Sequence, residues 1–228
     1  MIEIGAGSGV LTAALAEVAR AVRAIEIDPW HASKLRPRFE ASDRVEVVEA
    51  DFFATPLPRE RYSVFSNVPF SRTADVVRHL TEARLQPEDI YLVVQAEAAA
   101  RFVGRPYRNE TVQSLKLGPW WHAEIVHWFN RTDFEPPPAV DCVLLWLARR
   151  PRPLVRDADR SRYLRFVSGS FGSDAVSRGL RGRFTPRQLA LLGRRLGFGR
   201  RARPPSLSFE QWLTLFRQQG DRNGVRQR

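Results

Sequence analysis

Met1-Ile2-Glu3-Ile4-Gly5-Ala6-Gly7-Ser8-Gly9-Val10-Leu11-Thr12 opens the chain. A short strand runs into a Gly-x-Gly-x-Gly turn and then into an amphipathic helix over 10–20. Glycines let a backbone come close to a ligand at a helix N-terminus, where free N–H groups gather. A dinucleotide fold asks for Gly-x-Gly-x-x-Gly. Here the third glycine comes one residue early. That spacing suits a nucleoside-type cofactor lying against the turn, with no pyrophosphate to cradle.

The next strand, over 22–27, ends in Glu26-Ile27-Asp28. An acid about 20 residues after the first glycine is where such units hold ribose hydroxyls. Glu26 is the candidate, because one carboxylate can accept two hydroxyls. Asp28 reads as the N-cap of the following helix, with Pro29 at its first position. A third strand over 45–48 leads into Glu49-Ala50-Asp51-Phe52-Phe53. Asp51 can accept a hydrogen bond from an adenine amine and Phe52 can cover the ring; alternatively, Asp51 is a loop cap. A fourth apolar run, 62–66, leads into Asn67-Val68-Pro69-Phe70. An open α/β sheet binds ligands outside the C-terminal ends of its strands. The Asn67 carbonyl can accept an N–H, and Pro69 stiffens the turn so that a main-chain carbonyl accepts a second. Phe70 can stack on a base. Taken alone, these four residues read equally as a plain strand-ending turn. Glycines, Glu26, Asp51 and Asn67 on successive strand ends make one ligand site the simpler reading.

Further along, a helix is expected over 73–83, a strand over 90–94, a helix over 95–103, and a short helix after the break at 106–108. Strands over 124–129 and 142–148 flank Pro136-Pro137-Pro138, a stiff loop that shapes either a pocket rim or a hairpin connection. Arg149-Arg150-Pro151-Arg152-Pro153 reads as a linker. Beyond it, helices are expected over 161–168, 185–196 and 209–218, with Thr185 as N-cap and Pro186 at the first helical position. The division expected is 1–150 and 151–228.

Charge divides the chain in the same place. Residues 1–148 hold 16 Lys and Arg against 20 Asp and Glu, a net of −4; residues 149–228 hold 20 Arg against 5 acids, a net of +15. Together they give the overall +11. A GC-rich genome explains Arg in place of Lys, but not an excess confined to one third of the chain. The asymmetry points to a polyanionic partner for the tail. No apolar run approaches the roughly 20 residues that span a membrane. Cys142 stands alone and reads as a small buried residue. Neither a signal peptide nor a membrane span is read, so a cytoplasmic setting is expected. The four histidines lack metal-ligand spacing, and no metal is expected. No Gly-x-Ser-x-Gly or Cys/His pairing suggests a covalent nucleophile. The six tryptophans read as packing residues.

These motifs, in this order, resemble the ribosomal RNA adenine N6-methyltransferase family. The likeness extends through Gln95-Ala96-Glu97, Trp120-Trp121 and Thr132-Asp133-Phe134-Glu135-Pro136-Pro137-Pro138. The tail, with Leu196-Gly197-Phe198 and Leu207-Ser208-Phe209-Glu210-Gln211-Trp212, is similar to the Erm branch. The resemblance covers essentially the whole chain. It implies a Rossmann-like class I methyltransferase sheet, α/β in class, with a small all-helical C-terminal domain that binds RNA. It also implies S-adenosyl-L-methionine as cofactor, an adenine of 23S rRNA as substrate, macrolide–lincosamide–streptogramin B resistance as the outcome, and a monomer. Carried onto this sequence, Asn67, Pro69 and Phe70 are catalytic, and Gly5, Gly7, Glu26, Asp51, Phe52 and Asn67 hold the cofactor. The family also carries a segment before the first strand, with a Gln-Asn-Phe stretch that closes over the methionine end of the cofactor. The chain begins inside that strand, so the reading expects a late start codon or a shortened product. The sister branch of small-subunit dimethyladenosine transferases shares every core motif. A catalytically silent RNA-binding relative is the other alternative.

Overall fold

The computed structural model describes residues 1–223, with side chains described through residue 219. Two compact units emerge: residues Met1–Ala99 with Glu124–Arg149, and residues Ala100–Ala123 with Arg150–Arg228. One crossing falls at the expected linker. The other two set residues 100–123 with the tail, although the sequence division places them before it.

A seven-stranded mixed sheet in the order β3-β2-β1-β4-β5-β7-β6 fills the first unit, with only the start of β6 counted in the second. Its strands are β1 (Ile2–Ile4), β2 (Val22–Glu26), β3 (Val45–Glu49), β4 (Val64–Asn67), β5 (Asp89–Gln95), β6 (Trp121–Trp128) and β7 (Cys142–Arg149). Helices α1 (Val10–Val18), α2 (Pro29–Phe39), α3 (Thr73–Glu82) and α4 (Ala96–Val103) follow the parallel strands. The pairs β2–β3, β1–β2, β1–β4 and β4–β5 are parallel, and β7 runs antiparallel to β5. Alternation along β4, β5 and β7 sends Val64, Ile90, Leu92, Val94, Val143, Leu145 and Leu147 to one face, each wholly buried. Phe65, Tyr91 and Trp146 form a stacked ladder on the other, with centroids 5.8 and 6.2 Å apart. Such cross-strand pairs pin the register of a sheet.

The strand order reverses at β1. Chain order leads outward to β2 and β3 on one side, and to β4 and β5 on the other. The crevice between the C-terminal ends of β1 and β4 is therefore the switch point at which a doubly wound sheet takes its ligand. Ser66 ties the two strands there, its hydroxyl donating to the Ile4 carbonyl at 2.5 Å.

Expected and observed elements agree closely, with differences at their ends. β4 runs through Asn67 itself, and β6 begins at Trp121 instead of residue 124. Asp28 caps α2, accepting from the Trp30 N–H at 2.8 Å, with Pro29 at the first position.

The second unit holds α5 (Val112–Leu117), α6 (Arg160–Phe171), α7 (Val176–Gly179), α8 (Pro186–Leu196) and α9 (Phe209–Asn223). Its core is aromatic. Tyr163 and Phe166 of α6 meet Phe216 of α9 edge-on at 5.0 and 5.6 Å, and Trp212 meets Phe166 at 6.0 Å. Tyr163 and Trp212 are wholly buried and keep their polar ends bonded. The Tyr163 hydroxyl donates to the Leu115 carbonyl at 2.8 Å, and the Trp212 indole to the Pro204 carbonyl at 3.2 Å. Leu115, also wholly buried, brings α5 into this core, which is why residues 100–123 fold with the tail. Among the described residues no helix is long and apolar enough to cross a membrane.

Candidate active site

The glycine turn is left-handed at Gly5 (φ +71°) and Gly7 (φ +52°), a conformation that disfavours any side chain. A Cβ at either position would meet nothing within 4 Å. Open space therefore lies over both, as a backbone lined for close approach requires. Gly9 differs: a Cβ there would stand 2.5 Å from Leu35 Cδ2, so this glycine lets α1 sit against α2. Arg38 of α2 clamps the turn from outside, donating to the Ser8 carbonyl at 2.7 Å.

Glu26 closes the turn from the next strand. Its Oε2 accepts the Gly7 N–H and its Oε1 the Asp28 N–H, each at 2.8 Å. The residue is only 5% exposed. A carboxylate oxygen has two acceptor positions, so each keeps one for a ligand hydroxyl. One side chain thus shapes the glycine turn and offers the paired acceptors that a ribose needs.

Asp51 ends the third strand in a cap. Its Oδ1 accepts the Phe53 N–H at 2.9 Å, while the residue stays exposed. Phe52 is buried, its ring edge-on to Phe53 at 5.3 Å and to His79 at 5.2 Å. The Ala50 N–H donates to the Glu26 carbonyl at 3.0 Å, which draws the ends of β2 and β3 together.

Asn67 is the last residue of β4. The β1–β4 register pairs Ile2 with Val64 and Glu3 with Phe65; continued, it sets Asn67 level with Gly5. Asn67 is exposed, and its carboxamide has no hydrogen-bond partner among the described residues. Val68 is buried, its N–H donating to the Val93 carbonyl at 3.3 Å. Pro69 holds φ −52° and ψ 128° and leads into a tight turn over Phe70–Arg72. The Pro69 carbonyl accepts the Arg72 N–H at 2.8 Å, whereas no hydrogen bond reaches the Val68 carbonyl among the described residues. Phe70 presents 39% of its surface.

Sequence reasoning left one residue of this site without a role. Glu3, in the middle of β1, is 1% exposed and accepts the Thr12 hydroxyl at 2.6 Å. Burial pushes its carboxyl up to about 7; the Thr12 bond opposes the rise and the Glu26 charge adds to it. The visible signal is an acid between two isoleucines in a central strand. Among the described residues no group of His, Cys, Asp and Glu is arranged to hold a metal ion.

Comparison with known proteins places this geometry. The family model for ribosomal RNA adenine dimethylase matches residues 1–218. An rRNA adenine N-6-methyltransferase of Streptomyces fradiae is 35% identical over 95% of this chain and 69% of its own length. The mycinamicin-resistance protein MyrB of Micromonospora griseorubida is 31% identical over 95% of this chain and 69% of its own. Among solved structures, the 23S rRNA methyltransferase ErmE superposes with a TM-score of 0.88 at 30% identity, covering 96% of this chain and 90% of that one.

Proposed function

The chain belongs to the ribosomal RNA adenine dimethylase family, and from that premise we propose that it transfers methyl from S-adenosyl-L-methionine to N6 of an adenine in 23S rRNA, giving macrolide–lincosamide–streptogramin B resistance. One observation carries the reading. Gly5 and Gly7, Glu26, Asp51 and Asn67 stand at the C-terminal ends of β1, β2, β3 and β4, around the switch point of the sheet. The names of the relatives and of the ErmE neighbour support the choice of RNA.

The sulfonium of S-adenosyl-L-methionine supplies an electrophilic methyl group when bound, so the chain's task lies with the nucleophile. The lone pair of adenine N6 is delocalised into the ring. Asn67 Oδ1 accepts one amine hydrogen. The Val68 carbonyl, free of internal bonds among the described residues, accepts the other. Two acceptors aimed at the amine build electron density on nitrogen and fix its direction, which is positioning and electrostatics in place of acid–base catalysis. Pro69 stiffens the turn, with its own carbonyl engaged by Arg72. Phe70 stacks on the target base. A base must leave its stack to reach such a pocket, so an unpaired adenine is preferred. Glu26 holds the cofactor ribose. Asp51 takes the adenine amine of the cofactor with the oxygen that does not cap Phe53. Phe52 backs that ring, and Gly5 and Gly7 let the methionine part pass. The helical unit, rich in arginine, meets phosphates.

Transfer of labelled methyl to protein-free 23S RNA, with 16S RNA in parallel, tests the proposal. Label at one 23S adenine is expected. Label on 16S RNA alone moves the chain to the small-subunit branch. No label on either overturns the catalytic reading.

A further inference from the structure

Within the helical unit, one face of α8 turns toward a cavity of about 450 Å³, within the range of small-ligand clefts. Pro186, Leu189, Ala190, Gly193 and Arg194 line it at the spacing of a single helix face. Phe184 forms part of its floor at 8% exposure, and Phe198 is half-buried in its wall. Gly193 makes the wall possible. A Cβ there would stand 2.6 Å from the Phe198 carbonyl, whose own N–H donates back to the Gly193 carbonyl at 2.8 Å. The chain thus folds back at the end of α8 and brings an aromatic ring beside an apolar helix face.

The rim is basic. Arg181, Arg194 and Arg200 line the cavity, all exposed, and none has a carboxylate partner among the described residues. Among the described residues no acidic side chain lines it. A cleft for a neutral apolar group alone has no use for unpaired guanidinium groups, and a phosphate alone has no use for an aromatic wall. An unpaired nucleotide uses both: a flat base against a ring, and phosphates that guanidinium groups contact from the rim.

We propose that this cavity takes an unpaired nucleotide of the substrate RNA, distinct from the adenine that is methylated. The base lies against Phe198 and the Leu189–Ala190 face, with its flanking phosphates on Arg181, Arg194 and Arg200. The proposal rests on the RNA reading above. It adds a second base anchor, remote in sequence from Asn67, through which the helical unit chooses a register on the RNA as well as adding charge.

The test joins cavity variants to an abasic scan of a 23S fragment. Ala190→Trp fills the cavity from an accessible helix face, and Phe198→Ala removes the ring while Phe198→Tyr keeps it. Melting temperature and cofactor affinity serve as fold controls. Ala190→Trp and Phe198→Ala are expected to weaken RNA binding about tenfold, with Phe198→Tyr near wild type. One unpaired position other than the target should lose the same factor when made abasic in wild type, and little more in either weakened variant. Such non-additivity identifies contacting partners. Additive losses at every position, or full affinity in Ala190→Trp, overturn the cavity while leaving methylation by wild type intact. If wild type neither binds nor methylates 23S RNA, the functional reading itself falls. Should one variant fail the fold controls, the other decides.

Discussion

The two units treat arginine differently. In the sheet unit, about half of the arginines meet acids, among them Arg23 with Glu46 and Arg36 with Glu49, each at 2.7 Å, Arg61 with Glu88, and Arg78 with Asp75 at 2.7 Å. In the helical unit, pairing is confined to a few places, such as Arg178 with Asp174 and Arg156 with Asp159. Arg181, Arg187, Arg194, Arg195, Arg200 and Arg201 have no acid partner among the described residues. Exposed ion pairs contribute little stability, roughly 0–1 kcal/mol, so folding does not demand the first pattern. What differs is the field that each surface projects. The sheet unit offsets many of its arginines with acids and keeps Glu3 and Glu26 inside. The helical unit leaves positive charge open, which favours a polyanion and makes its binding salt-dependent.

If this division holds, substitutions at the strand ends should change chemistry or cofactor affinity and spare RNA affinity. Those on α8 should do the reverse. Asn67→Ala carries the largest expected effect. Removing one preorganised partner of a reacting group costs about 10²–10³ in turnover. Single-turnover rate and cofactor affinity, measured together, should separate, the first falling and the second holding. Glu26→Gln comes next, weakening cofactor binding about 10- to 100-fold by loss of charge-assisted acceptance. Calorimetry reads it, and RNA binding at fixed salt should stay level.

Glu3→Gln tests the buried half of the comparison. In the folded chain the Glu3 carboxyl holds its proton up to about 7, whereas in the unfolded chain it releases it near the ordinary 4.5. Between those values the folded state binds the extra proton, so stability falls as pH rises through this window and stays reduced above it. Glutamine carries no charge and still accepts from Thr12. The variant should lose this slope and gain on the order of 2–3 kcal/mol at pH 8. Denaturant unfolding at pH 5 and pH 8 measures the difference.

The smallest effect sharpens the contrast most. Arg195→Gln should lower the slope of log affinity against log salt by about 0.7–0.9. Arg36→Gln, which loses a paired arginine of the sheet unit, should leave that slope unchanged. Equal responses from the two would erase the distinction drawn here.

The sheet unit was legible because its determinants are local. Glycine turn, Glu26, Asp51 and Asn67 each sit within a few residues of a strand end, and the topology gathers them at one edge. Helix caps were legible for the same reason: Asp28 and Thr185 act within three residues of themselves. What sequence did not reveal depends on distant contacts. Residues 100–123 join the helical unit because the Leu115 carbonyl accepts the hydroxyl of Tyr163, which packs on Phe216, far along the chain. Asp51 divides its carboxylate, one oxygen capping the turn at Phe53. That cap was one of two readings, and it leaves the second oxygen available. In the Asn67 turn, the sequence does not say which main-chain carbonyl is left open. The Arg72 N–H engages Pro69 and leaves Val68.

The measurement that bears most directly on the central claim is the identity of the modified nucleoside. 23S RNA exposed to the chain and S-adenosyl-L-methionine would be digested to nucleosides and separated by mass spectrometry. An acceptor pair built from Asn67 and the Val68 carbonyl fits an exocyclic amine, so N6-methyladenosine or N6,N6-dimethyladenosine is expected, and it should form about 10²–10³-fold more slowly with Asn67→Ala. Methyl on a ring carbon, a ring nitrogen or a ribose hydroxyl would contradict the account, because none of these presents two amine hydrogens to that turn.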